Sequence, residues 1–188
     1  IGRGLKTKIN ANIGTSKDSS DITREIDKMK VAVECGADAI MDLSTGAHIV
    51  RTRRAILKRS KVPVGTVPIY QMVINARIAG KQIKAITVDE MFDVLEEQAA
   101  EGVDFFTIHA GIVRKALEIL QKKPRVLDIV SRGGAFLAHW MIENNAENPF
   151  YVHFDRVIDI AKRYDITLSL GDGLRPGAVA DASDGAQI

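Results

Sequence analysis

The segment ITLSLGDGLRPG, residues 166–177, begins as a strand and then breaks off in chemistry. Ile166–Leu170 has the β-branched and apolar content of a buried strand. Directly after it come Gly171, Asp172, Gly173, Arg175 and Pro176. The glycines permit tight or positive-φ backbone, and proline suits the first turn of a following helix, which leaves Asp172 and Arg175 at the strand end. The chain turns there while presenting an acid and a base, either to a ligand or to each other as an ion pair that fixes the loop.

The same pattern recurs upstream. Strand-like runs near Lys8–Ile13, Ala39–Leu43, Val62–Val67, Phe105–His109 and Val126–Val130, with Ile166–Leu170, alternate with helical stretches, the signature of an α/β fold. Ser20 or Asp21 can cap a helix ending at Cys35 before Gly36, and Thr87 with Glu90 makes a capping box. The strands run into NANIGTS, MDLSTG, GTVPIY, IHAG, SRGG and GDGLRP in turn. An open doubly wound sheet concentrates its site at one switch point, whereas a barrel turns every strand end toward one mouth. Six successive strand ends bearing amide, carboxylate, hydroxyl, imidazole and guanidinium groups predict a parallel (β/α) barrel, with about six of its eight βα units present. Residues 1–188 are expected to be part of a single barrel domain, the six strands lying in chain order as about three-quarters of a barrel wall. Asn12, Asp42, Tyr70, His109, Arg132, Asp172 and Arg175 should then converge on one concavity.

Composition narrows the function. A formal charge of +2 on 188 residues gives no electrostatic case for nucleic acid or an acidic membrane surface. No apolar run reaches the ~18 residues of a membrane span, and no signal-like segment opens the chain. Cys35 alone permits no intrachain disulfide, consistent with a reducing compartment, and the expected location is cytoplasmic. The basic run Arg51–Lys61 reads as a solvated helix face.

Within the strand-end set, Ser131 can cap the next helix while Gly133 and Gly134 bare its amides. That is an anion cradle with Arg132 as counter-charge, or else a plain strand-to-helix turn. His109 ends a strand and should face the mouth; His139 and His153 fall in helices, and His48 starts one. No histidine pair has zinc-ligand spacing, and no Cys-x-x-Cys occurs. Asp42 and Asp172 are candidates for acid/base work, but no catalytic residue is assigned.

Taken together, NANIGTS, GAD-x-x-MDLSTG, VPVGTVPIYQ, EGVDFFTIHAG, IVSRGG and YD-x-x-LSLGDGLRPG resemble the ordered motifs of the phosphomethylpyrimidine synthase, or ThiC, family of thiamine biosynthesis. The resemblance runs through essentially the whole chain. It implies a radical S-adenosylmethionine lyase with a TIM-barrel core, which rearranges aminoimidazole ribotide into hydroxymethylpyrimidine phosphate. Motif by motif, its substrate contacts fall on Asn12, Met41, Tyr70, His109, Ser131, Arg132, Gly133, Asp172, Gly173, Leu174 and Arg175. It also implies S-adenosylmethionine, a 4Fe–4S cluster and zinc as cofactors, and a homodimer.

The family's later Glu-Gly-Pro-Gly-His segment, its metal-binding histidine and its three-cysteine motif have no counterpart here, so the resemblance implies an internal fragment, inactive alone and without metal ligands of its own. Two other readings stay open: a different phosphate-binding barrel enzyme of aldolase or isomerase type, and a noncatalytic ligand-binding relative. None of the six strands ends in the lysine that an imine-forming aldolase would need.

Overall fold

The computed structural model describes residues 4–188. Five short strands, β1 (Asn10–Ile13), β2 (Ala39–Asp42), β3 (Val64–Thr66), β4 (Phe105–Ile108) and β5 (Thr167–Leu170), form one sheet. Their spatial order is their chain order, and every neighbouring pair is parallel. A sequential parallel order contains no switch point. The sheet is not closed; β1 and β5 are its edges.

Among the described residues, eight α-helices complete the layer: α1 (Ile22–Glu34), α2 (Ile49–Leu57), α3 (Pro68–Ile78), α4 (Val88–Ala100), α5 (Arg114–Lys122), α6 (Arg132–Glu143), α7 (Pro149–Val152) and α8 (Phe154–Arg163). Local chemistry fixes several of their starts. Asp21 caps α1 by accepting from Thr23 and Arg24, Thr87 and Glu90 close the capping box of α4, and Ser131 caps α6.

Period-two alternation sorts the strands into two faces. Ile13, Ile40, Val64, Phe106 and Ile108 are buried against the helices, in one cluster beneath β1–β3 and a larger one around β4. The opposite face follows the register Asn12–Met41–Gly65–Phe105–Thr167, with Thr107 beside Ser169. Bulky branched side chains normally fill this face of a barrel. Asn12, Gly65, Thr107, Thr167 and Ser169 make it largely polar, with Met41 and Phe105 as its bulky members and the Phe105 ring lying against Gly65.

Four expectations are corrected. The sheet has five strands, because Val126–Val130 forms none: β4 pairs directly with β5 through Phe105–Thr167 to Ile108–Leu170. The Asp181 carboxylate instead accepts from the Val126 and Leu127 amides, at 2.8 and 3.0 Å. Side-chain acceptors thus meet donors that a ladder would have used. Pro176 opens no α-helix, since a turn and a short 3-10 segment, Val179–Asp181, follow it. Arg53, read as part of a solvated face, is 1% exposed and bonded to Glu101 at 2.6 Å. Lastly, Asp42 lies on the Ile40 face of β2, inside the sheet–helix layer and away from the mouth.

Candidate functional site at the strand ends

The loops after β1, β2 and β5 and the starts of α3 and α6 enclose an open cavity of about 550 Å³, lined by Asn12, Lys28, Tyr70, Arg132 and Arg175 among others. It lies at the C-terminal ends of the strands, where parallel α/β sheets bind ligands. A depression of about 700 Å³ at the opposite end, beside Lys61, Pro63 and Asp104, precedes β3 and β4. It holds none of the residues singled out by the strand-end motifs.

Two glycine-rich turns interlock at the mouth. A Cβ on Gly133 would stand 2.6 Å from His109 Nδ1, one on Gly134 would run into the Gly173 carbonyl, and one on Gly173 would meet Ile112 at 2.5 Å. A Cβ on Gly171 would lie about 3 Å from Thr107 and the His109 ring. Here glycine is needed for close approach, because any side chain would push SRGG and GDGLRP apart.

The charged groups take up distinct roles. Arg132 lies over the Tyr70 ring, 5.4 Å from its centroid, a cation–π arrangement. Arg175 donates to the Asp172 main-chain carbonyl at 2.9 Å, while the Asp172 carboxylate accepts from the Leu174 amide at 3.0 Å. The alternative of a side-chain ion pair between them is therefore not realised, and the Arg175 charge stays available at the mouth. Burial raises the Tyr70 hydroxyl above its ordinary value, opposed by Arg132 and Arg175.

His109 is 6% exposed. Burial, reinforced by Arg175 and opposed by Asp172, pushes its pKa down to about 4. The imidazole is neutral at pH 7, and its buried Nδ1 has no hydrogen-bond partner. An unpaired buried polar atom costs stability unless something satisfies it. Ser131, Leu174, Gly133 and Gly173 are buried, and the Ser131 hydroxyl accepts from Gly134 N, so this group offers main chain more than side chain. Met41 lies beside Asn12 on the inner face.

Several contributors escaped the sequence reading. Glu25, 2% exposed on α1, accepts from Gly14 N at 2.8 Å and pairs with Lys28 at 2.5 Å. Ser44 accepts from Thr15 N at 3.0 Å and its own amide donates to Asp42. Burial raises the Asp42 carboxyl, against those Ser44 hydrogen bonds. The one available signal was an acid, Glu25, next to Ile26 on the apolar face of α1.

A 4Fe–4S cluster of this kind takes three or four thiolates. Cys35 is the single cysteine and is exposed at the C-cap of α1, before β2 begins. Among the described residues no group of three His, Cys, Asp or Glu side chains could hold a metal ion. The residues present thus fit neither the cluster nor zinc, and no step is assigned to either group. No helix among the described residues is long and apolar enough to cross a membrane.

Fold and site together define a parallel α/β protein with a cation-rich cavity at the C-terminal ends of its strands. The model of the radical SAM ThiC family matches residues 1–188, and the chain belongs to that family. It is 55% identical over 188 residues to a phosphomethylpyrimidine synthase of Moorella thermoacetica and 57% identical to one of Thermoanaerobacter sp. strain X514. A phosphomethylpyrimidine synthase of Thermodesulfovibrio yellowstonii is also 55% identical. Each comparison covers 100% of this chain and 44% of the relative, so the chain spans less than half of their length.

Proposed function

We propose that this chain is the ribotide-binding part of a phosphomethylpyrimidine synthase, an enzyme that converts aminoimidazole ribotide to hydroxymethylpyrimidine phosphate by radical S-adenosylmethionine lyase chemistry. The observation that carries the proposal is the interlocked pair of glycine turns, with Arg132 and Arg175 beside them and the unpaired Nδ1 of neutral His109 between them. The positive N-terminal end of α6 suits a phosphate, the two guanidiniums supply charge, and His109 and Asn12 offer polar partners to the imidazole and ribose. Met41, Ser131, Gly133, Asp172, Gly173 and Leu174 complete the proposed contact set.

Residues 1–188 then make up one piece of a (β/α) barrel. The exposed Val126, Leu127 and Leu170, at 72, 47 and 67%, flank the β5 side and would be covered by further βα units. S-adenosylmethionine would supply the radical once cleaved at a cluster held outside this chain, so these residues bind and orient and do not turn over alone. A homodimer in the cytoplasm is the corresponding expectation for the complete enzyme.

Titration of the protein with aminoimidazole ribotide and with its dephosphorylated nucleoside tests the reading. Saturable ribotide binding, roughly ten- to a hundredfold tighter than that of the nucleoside, is expected from one charge-assisted phosphate contact. Equal affinity for the two, or no ribotide binding by folded protein, would remove the proposal.

A further inference from the structure

Asn148 has no exposed surface and no place in the cavity lining, yet it is the most heavily bonded side chain near the mouth. Its Nδ2 donates to the carbonyls of His109 at 2.9 Å and Ile112 at 3.0 Å, with a longer contact to Ala110 at 3.3 Å. Its Oδ1 accepts from Phe150 N at 3.0 Å and so caps α7. Both N–H groups and the carbonyl are therefore used at once, inside a site that water cannot reach.

The two halves of this side chain do different things. Capping needs only an acceptor, which serine or aspartate supplies about as well. Gripping two carbonyls of one loop needs two donors, which only the amide supplies. What the donors hold is the loop 109–112, whose two ends carry the mouth: the His109 ring packs against Gly133 and Gly171, and Ile112 packs against Gly173. Glu147 secures the same joint from the other side, accepting from the Asn148 and Arg114 amides at 2.8 and 3.1 Å.

We infer that Asn148 is a positioning residue for the ligand site: its amide clamps the 109–112 main chain to the start of α7 and thereby sets where His109 and the Gly171–Gly173 turn meet the ligand. It touches no ligand itself. The ligand half of this claim rests on the ribotide reading above; the clamp does not.

The deciding variant is Asn148→Ser, which keeps the α7 cap and removes both donors to the loop. Three measurements are made on it and on wild type: far-UV circular dichroism, ribotide titration, and the NMR titration of His109, whose charged neighbours are Arg175 and Asp172. The expected result is a folded variant that binds ribotide roughly ten- to a hundredfold more weakly, the usual cost of a small misplacement. The His109 midpoint moves from about 4 toward the ordinary histidine range as the ring gains water. A folded Asn148→Ser protein with wild-type affinity and an unmoved His109 midpoint would overturn the inference.

Should wild type itself bind no ribotide, the functional reading fails, while the His109 titration still decides whether the clamp sets the ring. If Asn148→Ser does not fold, the side-chain amide protons of Asn148 in wild type decide it. They are expected to exchange slowly and to shift on saturation with ribotide; fast exchange or no shift counts against the clamp.

Discussion

Arg175 and His109 carry the sharpest single-residue consequences. With its carboxylate neighbour turned to the Leu174 amide, Arg175 is bound only to a main-chain carbonyl, and its charge is not neutralised within the loop. Arg175→Ala is expected to weaken ribotide binding by roughly ten- to a hundredfold, with thermal unfolding little changed; isothermal titration and a melting curve separate the two effects. An equal loss of fold and binding would instead mark a structural role. His109 predicts a pH dependence. Its folded pKa of about 4 lies below the ordinary histidine value of 6.5, so the unfolded chain takes up the proton first as pH falls. The stability that neutral His109 contributes is complete above pH 6.5 and is lost as pH drops through about 4. The full difference is about 3 kcal/mol. Urea unfolding between pH 7 and 4 should show this slope, and His109→Asn should flatten it.

Between elements, the joint of α2, α3 and α4 is held by a buried charge. Arg53 meets Glu101 at 2.6 Å and also Gln71, whose amide continues to Glu97 at 2.7 Å. Removing one partner of such a pair costs about 3–5 kcal/mol, because the other charge is left buried, whereas replacing both by apolar groups can be neutral. Glu101 keeps its bond to Arg54 at 2.7 Å when Arg53 is removed, so Arg53→Ala is expected to lose less than that amount in denaturant unfolding, and Arg53→Met with Glu101→Leu to recover part of it; equal stability of Arg53→Ala and wild type would show the pair to be idle. This joint was illegible in the sequence, where Arg53 is one of several cations in a run and only the fold says which one turns inward. Asn148 was hidden for the same reason: Asn-Pro announces a helix cap but not the loop that the amide reaches. Caps and glycine turns were legible because they act within three or four residues. Val126–Val130 has strand composition, yet strand formation depends on a neighbour, and β5 had already taken the edge of β4.

At the level of the whole chain, the sequential parallel strands explain why four of the residues picked from strand ends meet at one cavity, whose lining leaves out His109, Asp42 and Asp172. Each loop after a strand opens toward the same side, so residues far apart in sequence, Asn12, Tyr70, Arg132 and Arg175, line one cavity. The proposed function places ligand binding on this chain and redox chemistry elsewhere. With Cys35 as the only thiol, reconstitution with iron and sulfide is expected to give no 4Fe–4S absorbance, while ribotide binding persists; a cluster assembled on these residues would contradict that division of labour. The most direct measurement of the central claim is a crystal structure of the protein saturated with aminoimidazole ribotide. The account predicts the phosphate at the N-terminus of α6 beside Arg132 and Arg175, with the imidazole ring within hydrogen-bonding reach of His109. Ribotide bound instead in the depression beside Pro63 and Asp104, at the other end of the sheet, would contradict it.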